Sequence, residues 1–452
     1  MSSVYIICCI VIAIAVLIFL TVKVKLHPFF ALTTSAIVFG LLIGQNINDI
    51  MTAYAEGLGS TISGIGIGIV IAIGTVMGAL MEKSGGAETM ANAILRLTGK
   101  KHASLGLAIT GYFVSIPVFC DSAFVLLSPL AKRLSRDTGT SMATMAIALS
   151  MGLHATHMLV PPTPGPLSVA GILGADLGMV ILLGMVVSIP VVAVAMLAGK
   201  FLGQKYFYLP EDLALETEEE KHQKHPGYVE AFLPILLPIL LMLLRTVATL
   251  DSAPFGTGLV YDIFYSLGNT SVALLIGLII AFITYRRIHP EDHKVWTFDG
   301  DVGEALKTAG QIVLIVGAGG AFATVLRLSD LESIVTQAFS GVSLGILVPF
   351  IIGAIFRTAI GSGTVGMITA ASMLLPLVDV LGFSTPIGLV IAMLACASGG
   401  FMVFHGNDDY FWVITSTSGM KPEVAYKIFP LISILQAITS FACVFVLYLI
   451  FL

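Results

Sequence analysis

Eight apolar stretches of membrane-spanning length punctuate the chain, at roughly 4–22, 28–44, 58–81, 178–199, 228–247, 263–285, 303–326 and 428–451. A helix needs about 20 apolar residues to cross the hydrocarbon core of a bilayer. Only 11% of the residues are charged, against about 25% in a typical soluble domain, and 57% are hydrophobic. The sequence therefore predicts an all-α polytopic membrane protein, with no soluble domain large enough to carry a separate activity and no nucleic-acid partner. The five cysteines, Cys8, Cys9, Cys120, Cys396 and Cys443, lie in apolar stretches without a CxxC pair. Neither a metal site nor a disulfide framework is indicated, and no cofactor is expected. The N-terminus has no basic residue before its apolar run, so a retained first span is expected, not a cleaved signal.

Charge placement orients the spans. With the N-terminus outside, 19 of the 22 lysines and arginines fall on inside segments, leaving Arg245, Arg327 and Arg357 elsewhere. Cytoplasmic loops carry such an excess, so both termini are expected on the extracytoplasmic side. Basic residues flank 104–131 on both sides: Lys100 and Lys101 before it, Lys132, Arg133 and Arg136 after it. That segment must enter and leave by one face, which makes it a re-entrant hairpin. Irregular backbone at membrane depth survives only where protein or a water-filled cavity covers it.

The second half of the chain echoes the first at an offset near 245 residues. "PVFCDSAFVLLSPL" parallels "IGSGTVGMITAASMLLPL", and "SMGLHATHMLVPPTPGP" parallels "CASGGFMVFHGNDDYFW". "GALMEKSGGAETMANAIL" from Gly78 likewise parallels "FATVLRLSDLESIVTQAF" from Phe322. Each half reads as three spans, a re-entrant hairpin, a broken helix and a final span. Five crossings is an odd number, so the two repeats have inverted topology. The expected division is a first repeat over 1–203, a Glu-rich cytosolic linker over 204–227 and a second repeat over 228–452. Inverted repeats with discontinuous helices are the signature of secondary transporters.

The polar residues concentrate at the four discontinuities. Pro117 breaks the first hairpin and leaves Cys120, Asp121 and Ser122 at its tip. Asp121 reads either as a helix cap or as a group facing a solvated cavity. An aspartate at the centre of a span costs about 2.5–3.5 kcal/mol on insertion scales, which favours the cavity. In the first broken helix, His154 reads as a core donor. His157 reads as site-lining, beside "VPPTPGP" with Thr163 and Gly165, where three prolines free backbone carbonyls for ligand binding. The second hairpin, "RTAIGSGTVG", supplies Arg357, Gly361, Ser362, Gly363 and Thr364. Arg357 offers a planar fork to a carboxylate, or snorkels, or pairs with an acid. "GSGT" lacks the phosphate-loop pattern. The second broken helix places His405, Asn407, Asp408 and Asp409 in apolar surroundings. Asp121 or Asp408 is the candidate proton carrier.

At these residues the chain resembles the gluconate:proton symporter family of bacterial permeases, essentially end to end. The likeness is carried by the Lys23–Leu32 start, "MEKSGGAE", "HxxxPPTPGP" from His157, "GADLG", "IVGAGGAF", "GSGTV" and "ND" before "FW". It departs at "HGNDDY", where Gly406 and Asp409 stand in place of the expected "HINDxxFW". The resemblance implies proton coupling, a small anionic carboxylate substrate within a family that carries gluconate, related sugar acids, glycerate-like acids or the zwitterion D-serine, a homodimer, and the inner membrane of a bacterium. Sodium coupling remains open on the residues alone. An intramembrane hydrolase is disfavoured, because neither HExxH nor GxSxG occurs.

Overall fold

The computed structural model describes residues 3–63, 67–210, 224–249, 254–256, 258–329, 345–406 and 408–452. Among these residues the regular structure is helical throughout. The helices are α1 (Ser3–Ile18), α2 (Pro28–Leu42), α3 (Ile47–Ser63), α4 (Ile67–Lys83), α5 (Gly86–Thr98), α6 (Ala103–Val114), α7 (Cys120–Thr138), α8 (Met142–Leu159), α9 (Pro164–Leu173) and α10 (Leu177–Lys205). After the linker come α11 (Tyr228–Ala248), α12 (Leu259–Leu267), α13 (Thr270–Ile288), α14 (Asp301–Leu326), α15 (Leu347–Ile360), α16 (Gly363–Leu374), α17 (Pro386–Gly399), α18 (Asp409–Ser418) and α19 (Pro422–Phe451). A π-helical turn, Phe19–Lys23, closes α1.

Among the described residues, seven segments are long and apolar enough to cross a membrane, including Val4–Thr21, Leu177–Lys205, Thr270–Ile288 and Pro422–Phe451. The solvent side of the bundle is apolar: Ile189 and Leu197 on α10, Ile279 and Ile283 on α13, and Ile438 and Leu449 on α19 are exposed. The interior is α8 and α9, where every residue from Met142 to Leu159 is buried. This is a membrane bundle, with lipid-compatible side chains outside and the polar break inside. Three expected spans differ from the sequence reading. The stretch 263–285 is divided at Gly268 and Asn269 between α12 and α13. The stretch 28–44 forms a helix of only 15 residues. The stretch 58–81 is shared between the end of α3 and α4, because 47–63 is itself helical and packs against α14.

The late elements of the two halves recur in order. The starts of α6 and α15, and of α8 and α17, are 244 residues apart; those of α10 and α19 are 245 apart. In each half the first hairpin helix touches its broken helix backbone to backbone through glycines. A Cβ on Gly111 or Gly152 would come within 2.7 Å of the Leu149 carbonyl or 2.4 Å of the Ala108 carbonyl. On Gly353 or Gly399 it would meet the Cys396 carbonyl at 2.2 Å or the Phe350 carbonyl at 2.1 Å. Small residues permit this close packing between apolar helices.

The ends of the long helices define two faces. On one, Lys83 pairs with Asp301 at 3.4 Å, His289 Nε2 lies 3.1 Å from the Lys83 carbonyl, and Arg287 pairs with Glu230. Lys101, His102, Gly139, Thr140 and Lys200 surround one hollow there, so α6 and α7 begin and end together. On the other face, Asp176, Arg245, Thr270, Ser384 and Pro386 surround a cavity of about 850 Å³. The α15–α16 unit is anchored towards that second face: a Cβ on Gly345 would lie 3.0 Å from the Leu381 carbonyl, just before Ser384. The two hairpin units thus enter the bundle from opposite ends of α10.

Candidate functional site

The tips of both units and the breaks of both discontinuous helices meet at a cavity of about 610 Å³. Each tip has a local cause. In the first, α6 ends at Val114, Pro117 lies in the turn, and α7 restarts at Cys120, which places Asp121 in its first turn. In the second, α15 ends at Ile360. Gly361 follows at φ +89°, a backbone conformation that glycine, lacking a Cβ, enters far more readily than any other residue. Ser362 then caps α16, its Oγ accepting from the Val365 amide at 3.4 Å.

Arg357 is the largest charged group buried in the bundle, 2% exposed. Its Nη1 donates to Asp408 Oδ2 at 2.5 Å and to the Gly361 carbonyl, and the guanidinium lies 5.4 Å from the centre of the Phe404 ring. Asp408 has a second duty: Oδ1 accepts from the Tyr410 amide at 2.7 Å, capping α18. One edge of the guanidinium is left over. Nε and Nη2 are buried and have no hydrogen-bond partner among the described residues. A buried donor without a partner costs about 1–3 kcal/mol, and more when charged.

Asp121 lines the cavity with Asp408 and Asp409. Its one hydrogen-bond partner among the described residues is the Cys120 thiol, which donates to Oδ1 at 3.5 Å. No backbone amide donates to it, which removes the reading of Asp121 as a cap. His157 lines the cavity, and its buried Nδ1 is unpartnered among the described residues. His154 also reaches the wall, but its Nδ1 lies 3.4 Å from Gln436 Oε1 and its ring is packed against Phe401 and Phe404.

Of the residues singled out by sequence, the cavity gathers Asp121, His157, Arg357, Ser362, Gly363, Thr364 and Asp408. Ser122, Thr163, Gly165, Gly361 and His405 are not on its wall. Asn407 lies outside the described residues. Thr163 Oγ1 lies 3.0 Å from the His157 carbonyl and 2.7 Å from the Val160 carbonyl. Those carbonyls, expected to face a ligand, are satisfied within the break. Gly165 permits helix packing, since a Cβ there would lie 2.1 Å from Met367 Cε on α16. Gly361 supplies a carbonyl to Arg357. His405 is half-buried beside Gly406 at the cavity's edge.

Sequence reasoning missed Thr21, Lys25 and Pro28, which approach from the end of α1 and the start of α2, and Tyr410 and Trp412 on α18. The available signal was "TVKVKLHP", a polar, proline-ended interruption after the first span. Among the described residues, two other than glycine have positive φ: Lys25 at 56° and Val403 at 48°. A β-branched residue there is a conformational outlier, and such outliers cluster where ligands bind. Val403 sits in the break between α17 and α18.

A helical membrane bundle whose two tips and two broken helices converge on a polar cavity is the architecture of a transport protein, not of an enzyme. The pattern that defines the GntP family permeases matches residues 5–450, and the chain belongs to that family. It is 38% identical over 427 residues to an uncharacterized permease of Haemophilus influenzae, covering 91% of this chain and 85% of the relative. It is 32% identical over 419 residues to a gluconate permease of Pseudomonas aeruginosa, covering 91% and 90%. Its fold is similar to that of the YdaH transporter of Alcanivorax borkumensis (TM-score 0.64, 16% identity, 93% of this chain and 97% of that one).

Proposed function

We propose that the protein imports gluconate or a closely related hydroxylated carboxylate together with protons. The observation that carries this reading is the buried, unpartnered Nε–Nη2 edge of Arg357, a residue of the cavity wall. That edge matches the two oxygens of a carboxylate and presents a planar pair of donors. Asp408 holds Nη1 and so fixes the plane of the guanidinium. Ser362, Thr364 and His157 provide donors and acceptors for the hydroxylated part of the substrate. The cavity volume lies within the range of small-molecule sites.

Asp121 is the proton carrier in this account. Asp408 is committed to a cation and to a helix cap, whereas Asp121 holds only a thiol. An anionic substrate beside Asp121 favours its protonated form by like-charge repulsion, and protonation in turn favours the anion.

The arrangement of the bundle is read as two inverted repeats, 1–203 and 228–452, joined by the linker. The opposite anchoring of the two hairpin units and the constant offset of their helices support it. The basic face is taken as cytoplasmic. Lys25, at the cavity wall and exposed, belongs to that side, so the cavity is open inward. Gluconate uptake into proteoliposomes, driven separately by a proton gradient and a sodium gradient, tests the reading. Accumulation should follow the proton gradient alone. Accumulation driven only by sodium would reject it.

A further inference from the structure

A second cavity, of about 600 Å³, lies on the basic face at the end of α10. The transport reading does not use it. Lys132 from α7, Lys205 from α10 and Lys421 from the turn before α19 line it, and among the described residues no acid does. Among the described residues, none of the three lysines forms an ion pair. The positive-inside bias accounts for lysines on this face. It does not account for their convergence from three elements on one concave site.

One further observation points to a ligand. Ser418, on the cavity wall, is 1% exposed; its carbonyl accepts from the Tyr208 hydroxyl at 3.1 Å, and among the described residues its Oγ has no hydrogen-bond partner. The helix α19 begins here but supplies no set of free amides: Pro422 has no N–H, and the Val424 and Ala425 amides donate to the Lys421 carbonyl at 2.9 and 3.1 Å. Converging ammonium groups and a buried hydroxyl together favour one chemistry, a compact and highly charged oxyanion.

We propose that this cavity binds a phosphate group, carried by a small soluble phosphate compound or by the headgroup of an anionic lipid. Both sources present the same oxygens to the lysines and Ser418. The site is separate from the transport cavity, yet α18 joins them. Its first residues, Asp409 and Tyr410, line the transport cavity and its last, Ser418, lines this one.

The test uses the full chain, purified in a neutral detergent, with thermal unfolding followed at constant ionic strength. Probes are inorganic phosphate, pyrophosphate and phosphatidylglycerol, with chloride and phosphatidylcholine as controls. At least one phosphate-bearing probe should raise the Tm saturably. The K132Q/K205Q/K421Q protein should lose that response, with half-saturation moved by at least about tenfold as charge-assisted bonds are lost. Lys294→Gln, a change at an exposed lysine away from the cavity, should leave it intact. A response to phosphate or pyrophosphate alone identifies a soluble ligand, and a response to phosphatidylglycerol alone identifies lipid. Should the triple variant fail to fold, Lys205→Gln and Ser418→Ala each carry the same prediction of weakened binding. Absence of a saturable shift with every phosphate-bearing probe would overturn the proposal. So would wild-type responses in the lysine and Ser418 variants.

Discussion

Arg357 Nη1 and Asp408 Oδ2 lie 2.5 Å apart, joining the second hairpin to the second broken helix across 51 residues of chain. The pair is almost wholly buried, at 2% and 12% side-chain exposure. Breaking such a pair by removing one partner costs about 3–5 kcal/mol, because the other charge is left unpaired. Asp408→Asn keeps a good N-cap for α18, so it isolates the ion-pair contribution. Its Tm should fall clearly below that of the wild type. Gluconate should then raise the variant's Tm more than the wild type's, since a substrate carboxylate replaces the lost charge. An unchanged Tm would contradict the pairing.

Asp121→Asn fixes the carrier in a form resembling the protonated acid. Substrate binding and counterflow exchange should persist, while accumulation driven by a proton gradient is lost. Proteoliposome counterflow and gradient-driven uptake, measured on the same preparation, separate the two. Full accumulation by Asp121→Asn would move the proton to Asp408 or Asp409.

Gly353→Val and Gly399→Val each force a side chain into carbonyls that a Cβ would already meet at 2.2 and 2.1 Å. Each should destabilise the fold by at least about 1–3 kcal/mol, as overpacking does. Gly59→Val meets nothing within 4 Å and is the control. Thermal unfolding of the three proteins checks the ordering.

Gly406 lies on the cavity wall, and a Cβ there would fall 1.9 Å from Tyr426 Oη and 3.3 Å from Trp412 Cζ2. Its carbonyl accepts from Trp412 Nε1 at 2.9 Å. Gly406→Ile should displace both aromatic rings and narrow the cavity. Competition assays with sugar acids of increasing length should show the longer ones losing more affinity than glycerate. A uniform loss for all lengths would assign Gly406 to folding instead.

The sequence carried the discontinuities well. Pro117, the prolines of 161–166 and the glycines of 361–366 each mark a place where a helix breaks, because ring constraints and positive φ act locally. The paired basic clusters around 104–131 signalled a return to one face for an equally local reason. The convergence of four breaks on one cavity was legible only through the repeat. What stayed hidden depends on tertiary placement. Nothing local shows that the π-helical turn after α1 brings Thr21 and Lys25 to the same wall as Arg357. Nor does sequence show that Thr163 turns back onto the carbonyls of its own break, or that Asp408 rather than a free carboxylate pairs with Arg357. The division of 47–83 into two helices was missed because a hydropathy window sees the apolar second part and not the amphipathic first.

The central claim is that the free edge of Arg357 binds a substrate carboxylate. Isothermal titration of the purified protein with gluconate and with the neutral polyol sorbitol, repeated on Arg357→Lys, tests it most directly. The account predicts measurable gluconate binding to the wild type, none for sorbitol, and at least about a tenfold loss in Arg357→Lys, which keeps the charge but not the planar fork. Equal binding of sorbitol and gluconate, or an unchanged gluconate affinity in Arg357→Lys, would contradict it.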